Sequence, residues 1–172
     1  MGQSYVAVFL SDDTDQVIGH AIPQDYGSFR KLIQHGWIGD PFVGAVEQFL
    51  ATPTRLVWAG EYATLDTGPE HHTNLFLLAR SAPRMPKLEP GPVGRYVLNH
   101  DKQRYVDKSI VPADRDGDRM HPIVALTIEG CGFGFGDFRY HPMIGCWARD
   151  RISVADTVPE HFGELEFPLV HS

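Results

Sequence analysis

The side chains able to do chemistry concentrate between residues 94 and 151, where His100, His121 and His141 flank the run Cys131-Gly132-Phe133-Gly134-Phe135-Gly136-Asp137. Just beyond lies Trp147-Ala148-Arg149-Asp150-Arg151, and an earlier segment of similar pattern is Trp58-Ala59-Gly60-Glu61-Tyr62. A histidine or carboxylate can act as general base if it reaches the proton it must take, and a guanidinium can grip an oxyanion through two parallel hydrogen bonds. These residue types give a candidate catalytic set of Glu61, His100, His121 and Asp137. They also give a candidate ligand-binding set of Trp58, Asn99, Trp147, Arg149 and Asp150. If residues 146–154 form a strand, Trp147, Arg149 and Arg151 share one face, and Arg149 is placed to clamp an anion. Large apolar neighbours around Glu61 would raise its pKa towards acid–base work.

Each pattern also has a plainer reading. The glycine run lacks the G-x-G-x-x-G spacing at the start of a helix, because Phe138-Arg139-Tyr140 and Pro142 follow it. It reads equally as a turn or a glycine-faced strand. The plainer reading of Arg149, and the preferred one, is one half of a cross-strand ion pair on a solvated face. Cys131 and Cys146 with the three histidines make a nominal zinc set, but no C-x-x-C is present and the spacing fits no finger. A Cys–His nucleophile pair is permitted on the same residues. Asp114-Arg115-Asp116-Gly117-Asp118 looks like a calcium loop, yet placing Gly117 sixth puts Pro112 first and Ile123 twelfth, so it is an acidic turn. No metal and no cofactor is expected.

Charge narrows the partners. Fifteen Lys and Arg against 22 Asp and Glu leave a net charge of −7, and the basic residues are scattered. Such a chain repels a phosphate backbone, so nucleic acid is excluded as a partner. No apolar stretch approaches the roughly 20 residues of a membrane span. The apolar run Tyr5–Leu10 is too short for a signal segment, and Val6 stands where a myristoylation signal needs Ser or Thr. With two cysteines the expectation is a cytoplasmic protein with reduced thiols. At 172 residues, 42 % hydrophobic, the whole chain is expected to form one domain with a core of its own.

These residues need elements to position them. Strands are expected at Ser4–Leu10, Gln16–Ile22, Arg55–Tyr62, Asn74–Arg80, Arg95–His100, Arg104–Lys108, Val124–Ile128, Cys146–Val154 and Glu164–Val170. Helices are expected at Phe29–His35, with Ser28 as N-cap and Gly36 as stop, and from Pro41 to about Ala51. Ser81 to Pro92 holds four prolines and reads as a crossing loop over 81–93. The order predicts an α+β fold, a mostly antiparallel sheet with two short helices packed on one side.

Several segments together carry a resemblance. They are Met1-Gly2-Gln3-Ser4-Tyr5, Asp25-Tyr26-Gly27, Leu32-Ile33-Gln34-His35-Gly36-Trp37-Ile38-Gly39, Val57 to Tyr62, Tyr96 to His100 with Tyr105-Val106-Asp107, His121-Pro122, Gly136-Asp137, and Gly145 to Asp150. The chain resembles, from residue 1 to about 154, a family of small uncharacterised bacterial and phage proteins that typically begin Met-Gly-Gln-Tyr-Tyr. It departs at Ser4, where tyrosine is usual, and at Phe133 and Phe135, where relatives are richer in glycine and arginine. The resemblance brings no activity with it. An acidic domain with no complete catalytic motif is expected to be a binding module for a protein partner or a small-molecule ligand, in immunity or phage conflict. The alternative is a small-molecule enzyme using His, Asp and Glu as acid and base with an arginine anion clamp.

Overall fold

In Tyr5-Val6-Ala7-Val8-Phe9-Leu10 apolar residues occupy both alternating sets, so a strand here must be covered on both faces. The computed structural model, which describes residues 2–63, 74–89, 94–130 and 141–171, makes this strand, β1 (Tyr5–Leu10), an interior one. β2 (Val17–Ala21) pairs with it antiparallel, and β3 (Thr54–Gly60) pairs along its other side with Ala7 opposite Trp58. The hairpin expected around residue 101 is present as β4 (Tyr96–Asn99) and β5 (Arg104–Asp107), with Val97 opposite Val106. Two short strands, β6 (Ile128–Glu129) and β8 (Gly163–Glu164), pair parallel with β3 and β5. β7 (Arg151–Ala155) joins the two halves by pairing antiparallel with both β3 and β4. The resulting order is β2-β1-β3-β7-β4-β5-β8, with β6 off the path beside β3. The fold is α+β with a mostly antiparallel sheet, as expected.

The helices depart from expectation in number and placement. Four occur among the described residues: α1 (Leu32–His35), α2 (Pro41–Phe49), α3 (Leu75–Ala79) and α4 (Pro122–Thr127). On one side of the sheet, Tyr5, Ala7, Phe9 and Trp58 join Leu32, Phe42, Val46, Ile123 and Leu126 in the main core. On the other, Val8, Leu10, Val57 and Ala59 pack with Leu75 and Ala79 of α3. Helices therefore cover both faces rather than one.

Local chemistry explains the departures. Asn74–Arg80, expected as a strand, contains no β-branched residue, and the Asn74 side chain accepts the Leu77 N–H as an N-cap. Val124–Ile128 is largely helical because Pro122 occupies the first turn and the His121 ring accepts the Ile123 N–H. Cys146–Val154 is a strand only from Arg151. Before it, Gly145 and Arg149 have φ of 74° and 70°, outside the extended region, and a Cβ at Gly145 would stand 2.6 Å from the Ile128 carbonyl oxygen. Glu164–Val170 forms ladder pairs only at its first residue. Ser28 does not cap a helix; its hydroxyl donates to Asp40, whose carboxylate in turn caps α2 through Phe42 and Val43.

The proline-rich crossing runs beside the sheet. The His20 N–H donates to the Pro83 carbonyl and the Met85 N–H to the His20 carbonyl, so residues 83–85 lie along the outer edge of β2. The Met85 side chain packs over Gly19, where an added Cβ would sit 2.6 Å from its sulfur.

Candidate functional site

The sequence-predicted residues fall into separate networks. Trp58, Trp147 and His121 are core residues, each no more than 2 % exposed. The Trp58 indole N–H donates to His35 Nε2 at 3.0 Å, and His35 Nδ1 lies 2.8 Å from the Phe29 carbonyl, so the His35 proton sits on Nδ1. His121 takes the opposite tautomer. Its Nδ1 accepts the Ile123 N–H at 3.1 Å, so its proton is on Nε2, donated at 2.6 Å to Glu47. Lys108 Nζ meets the same Glu47 oxygen at 2.5 Å. Burial is the largest influence on His121 and pushes its pKa down, because a second proton would have to be carried inside the core. Glu47 is held down to about 2 by His121 and Lys108, against a burial effect that alone would raise it. A buried lysine–glutamate pair with a neutral histidine is electrically closed. It anchors α2 to the start of α4 and to the turn after β5.

The rim residues are equally engaged. The Asn99 side chain donates to Asp150 at 2.8 Å and accepts the Asp101 and Lys102 N–H groups, which fixes the β4–β5 turn. Lys102 also donates to the Asp150 carboxylate. His100 Nε2 lies 2.7 Å from the Ser153 hydroxyl, with its pKa lowered chiefly by burial. Arg149 grips Glu129 with two nitrogens, at 2.6 and 3.1 Å, and Asp15 with a third at 2.7 Å. The clamp foreseen for Arg149 exists, but the protein's own carboxylates fill it. Arg149 and Arg151 do not share a strand face with Trp147, because residues 147–150 are turn and Arg151 instead pairs with Asp101.

Glu61 lies apart, where its carboxylate accepts the Ser4 N–H at 3.0 Å and its carbonyl accepts from Asn74. Asp137, Cys131 and the glycine run lie outside the described residues. His141 Nδ1 accepts the Met143 N–H, and no group of three metal-ligating side chains occurs among the described residues. The acidic turn is as read: Asp114 accepts the N–H groups of Asp116 and Asp118, around Gly117 at φ 89°.

A different place in the molecule offers unengaged chemistry. A cavity of about 450 Å³ opens where α3 crosses the ends of β1 and β2. Val6, Ile22, Phe76 and Ala79 give it an apolar wall, and Arg30, Arg80, Arg84 and His20 line the rest. Among the described residues its lining includes no Asp or Glu. Arg80 lies over the Phe76 ring, 5.6 Å from its centroid, and makes no ion pair among the described residues. Arg30 is positioned through its carbonyl, which accepts the Tyr5 N–H at 3.0 Å. Arg84 reaches Asp25 only at 3.4 Å between exposed groups, a contact of small worth. His20 Nδ1 lies 3.2 Å from the Pro83 carbonyl, which leaves Nε2 as the ring's remaining polar atom. Burial lowers the His20 pKa, so the ring is neutral at pH 7.

Sequence reasoning missed this cavity. Its arginines stand at positions 30, 80 and 84 with no motif to mark them, and Asn74–Arg80 has to be helical before Phe76, Ala79 and Arg80 can meet β1 and β2. Comparison with known proteins adds no outside guide: no protein-family model, curated protein or solved structure matches the chain. Among the described residues no helix is long and apolar enough to cross a membrane.

Proposed function

We propose that this protein is a binding module that holds a small ligand in the cavity beneath α3, and that it catalyses no reaction there. One observation carries the reading. The side chains of Arg30 and Arg80 make no hydrogen bond or ion pair among the described residues, whereas the residues best suited to catalysis by type are already bound to one another. A general base must reach the reacting centre with a free lone pair, and His121 has neither access nor a free nitrogen. The volume lies within the roughly 300–1,000 Å³ of small-molecule sites, and the mix of an apolar wall with a few polar groups is typical of them.

The test is to fill the cavity. Ala82 lines it from a loop, so Ala82→Trp should occupy the space while leaving the sheet and its far-ultraviolet circular dichroism unchanged. Naphthol should bind the unaltered protein in a saturable, one-to-one manner by calorimetry and should not bind Ala82→Trp. Equal binding to both would place the site elsewhere and end this reading.

A further inference from the structure

Resting on that reading, we infer that the cavity selects an organic oxyanion, a carboxylate or phosphate monoester joined to an apolar aromatic or alkyl body. Three arginines, Arg30, Arg80 and Arg84, line one cavity in a protein whose net charge is −7. Like charges gathered with only the weak Asp25 contact of Arg84 to offset them repel one another. An entering oxyanion would relieve that repulsion and accept hydrogen bonds that the described residues leave unmade.

The residue type narrows the ligand further. Guanidinium presents a planar fork that matches the two oxygens of a carboxylate or phosphate, and it tolerates contact with apolar surface better than an ammonium does. Arg80 already lies on Phe76, which holds its side chain over the ring before any ligand arrives. The apolar wall of Val6, Ile22, Phe76 and Ala79 is poorly suited to a bare inorganic ion, since burying that wall requires a carbon skeleton. A nucleic-acid strand is a poor fit as well, because the molecule is acidic overall and only three of its fifteen Lys and Arg line the cavity.

The experiment uses one aromatic body with three headgroups: naphthyl phosphate, naphthoate and naphthol, titrated calorimetrically into the full chain and into Arg30→Gln and Arg80→Gln. The two anions should bind at least about tenfold more tightly than naphthol, and each substitution should weaken them about tenfold, the ordinary scale for a charge-assisted contact. Naphthol binding should change much less than anion binding in either variant. Added salt should weaken the anions only, and the tighter of the two identifies the headgroup. If naphthol binds as tightly as the anions and neither substitution matters, the oxyanion inference is overturned while the cavity stands as a binding site. If none of the three binds, both readings fail together.

Discussion

Arg149 and Arg80 carry the same charge on the same side chain, yet one is closed and the other open. Arg149 is half-buried in a turn, with Glu129 along its fork and Asp15 on its remaining nitrogen. Arg80 is exposed at the end of α3, with an aromatic ring beneath it and no carboxylate beside it among the described residues. The same contrast separates His121, whose ring nitrogens are both taken, from His20, which has one to spare. Partnership, rather than residue type, decides whether a side chain is structural or available. A group whose bonds are complete fixes the fold, and one whose bonds are incomplete can take a ligand.

Substitutions should bring out that difference, most strongly in the core. Lys108→Met leaves Glu47 charged and without its ammonium inside the protein, so we expect a loss of about 3–5 kcal/mol in denaturant-measured stability. A loss below about 1 kcal/mol would show that the closed network is not closed. Acid should act next. His35 and His121 are kept neutral by burial, while in the unfolded chain they protonate near 6.5. Stability should therefore fall as pH drops below that value, by up to about 1.4 kcal/mol per histidine for each unit. Glu47 has a lowered pKa, so its contribution is present above 4.5 and is lost as pH falls from there towards about 2. Denaturation midpoints that stay level from pH about 7.5 down to about 5.5 would contradict the neutral tautomers.

Arg149 offers a finer measurement. Arg149→Ala should cost about 2–3 kcal/mol, since it strands Glu129 at the rim. Arg149→Gly should cost about 1 kcal/mol less than Arg149→Ala, because φ at this position is 70° and glycine adopts it without strain. Equal losses would mean that the backbone there relaxes. The smallest effect belongs to the cavity: Arg80→Gln should change stability by less than about 0.5 kcal/mol while still weakening anion binding. A large stability loss would move Arg80 into the structural class.

Much of the sheet was legible in the chain. β1, β2, β3 and the β4–β5 hairpin carry alternating or continuous apolar runs bounded by turn residues, and these signals are local. α2 was legible too, since Asp40-Pro41 is both cap and first turn. The misread segments, Asn74–Arg80 and Val124–Ile128, are short apolar runs that periodicity cannot assign; their caps, Asn74 and His121, decide them. The functional residues were less legible for a different reason. Asn99 does meet Asp150 at one end of the sheet, but the carboxylates that neutralise Arg149 lie 20 and 134 residues away. Neither Asp15 nor Glu129 carried any signal linking it to Arg149. In the cavity, Arg30 stands fifty residues before Arg80, and only the fold brings the two together.

The strap of residues 83–85 has a consequence for assembly. An open sheet edge is a template on which another molecule's strand can lengthen the ladder. His20 has both its outward backbone groups committed to Pro83 and Met85, so the ladder is stopped there by the chain itself. The same residue lines the cavity. The strap thus closes the sheet edge and, through Arg84, walls the cavity with the same short stretch of chain.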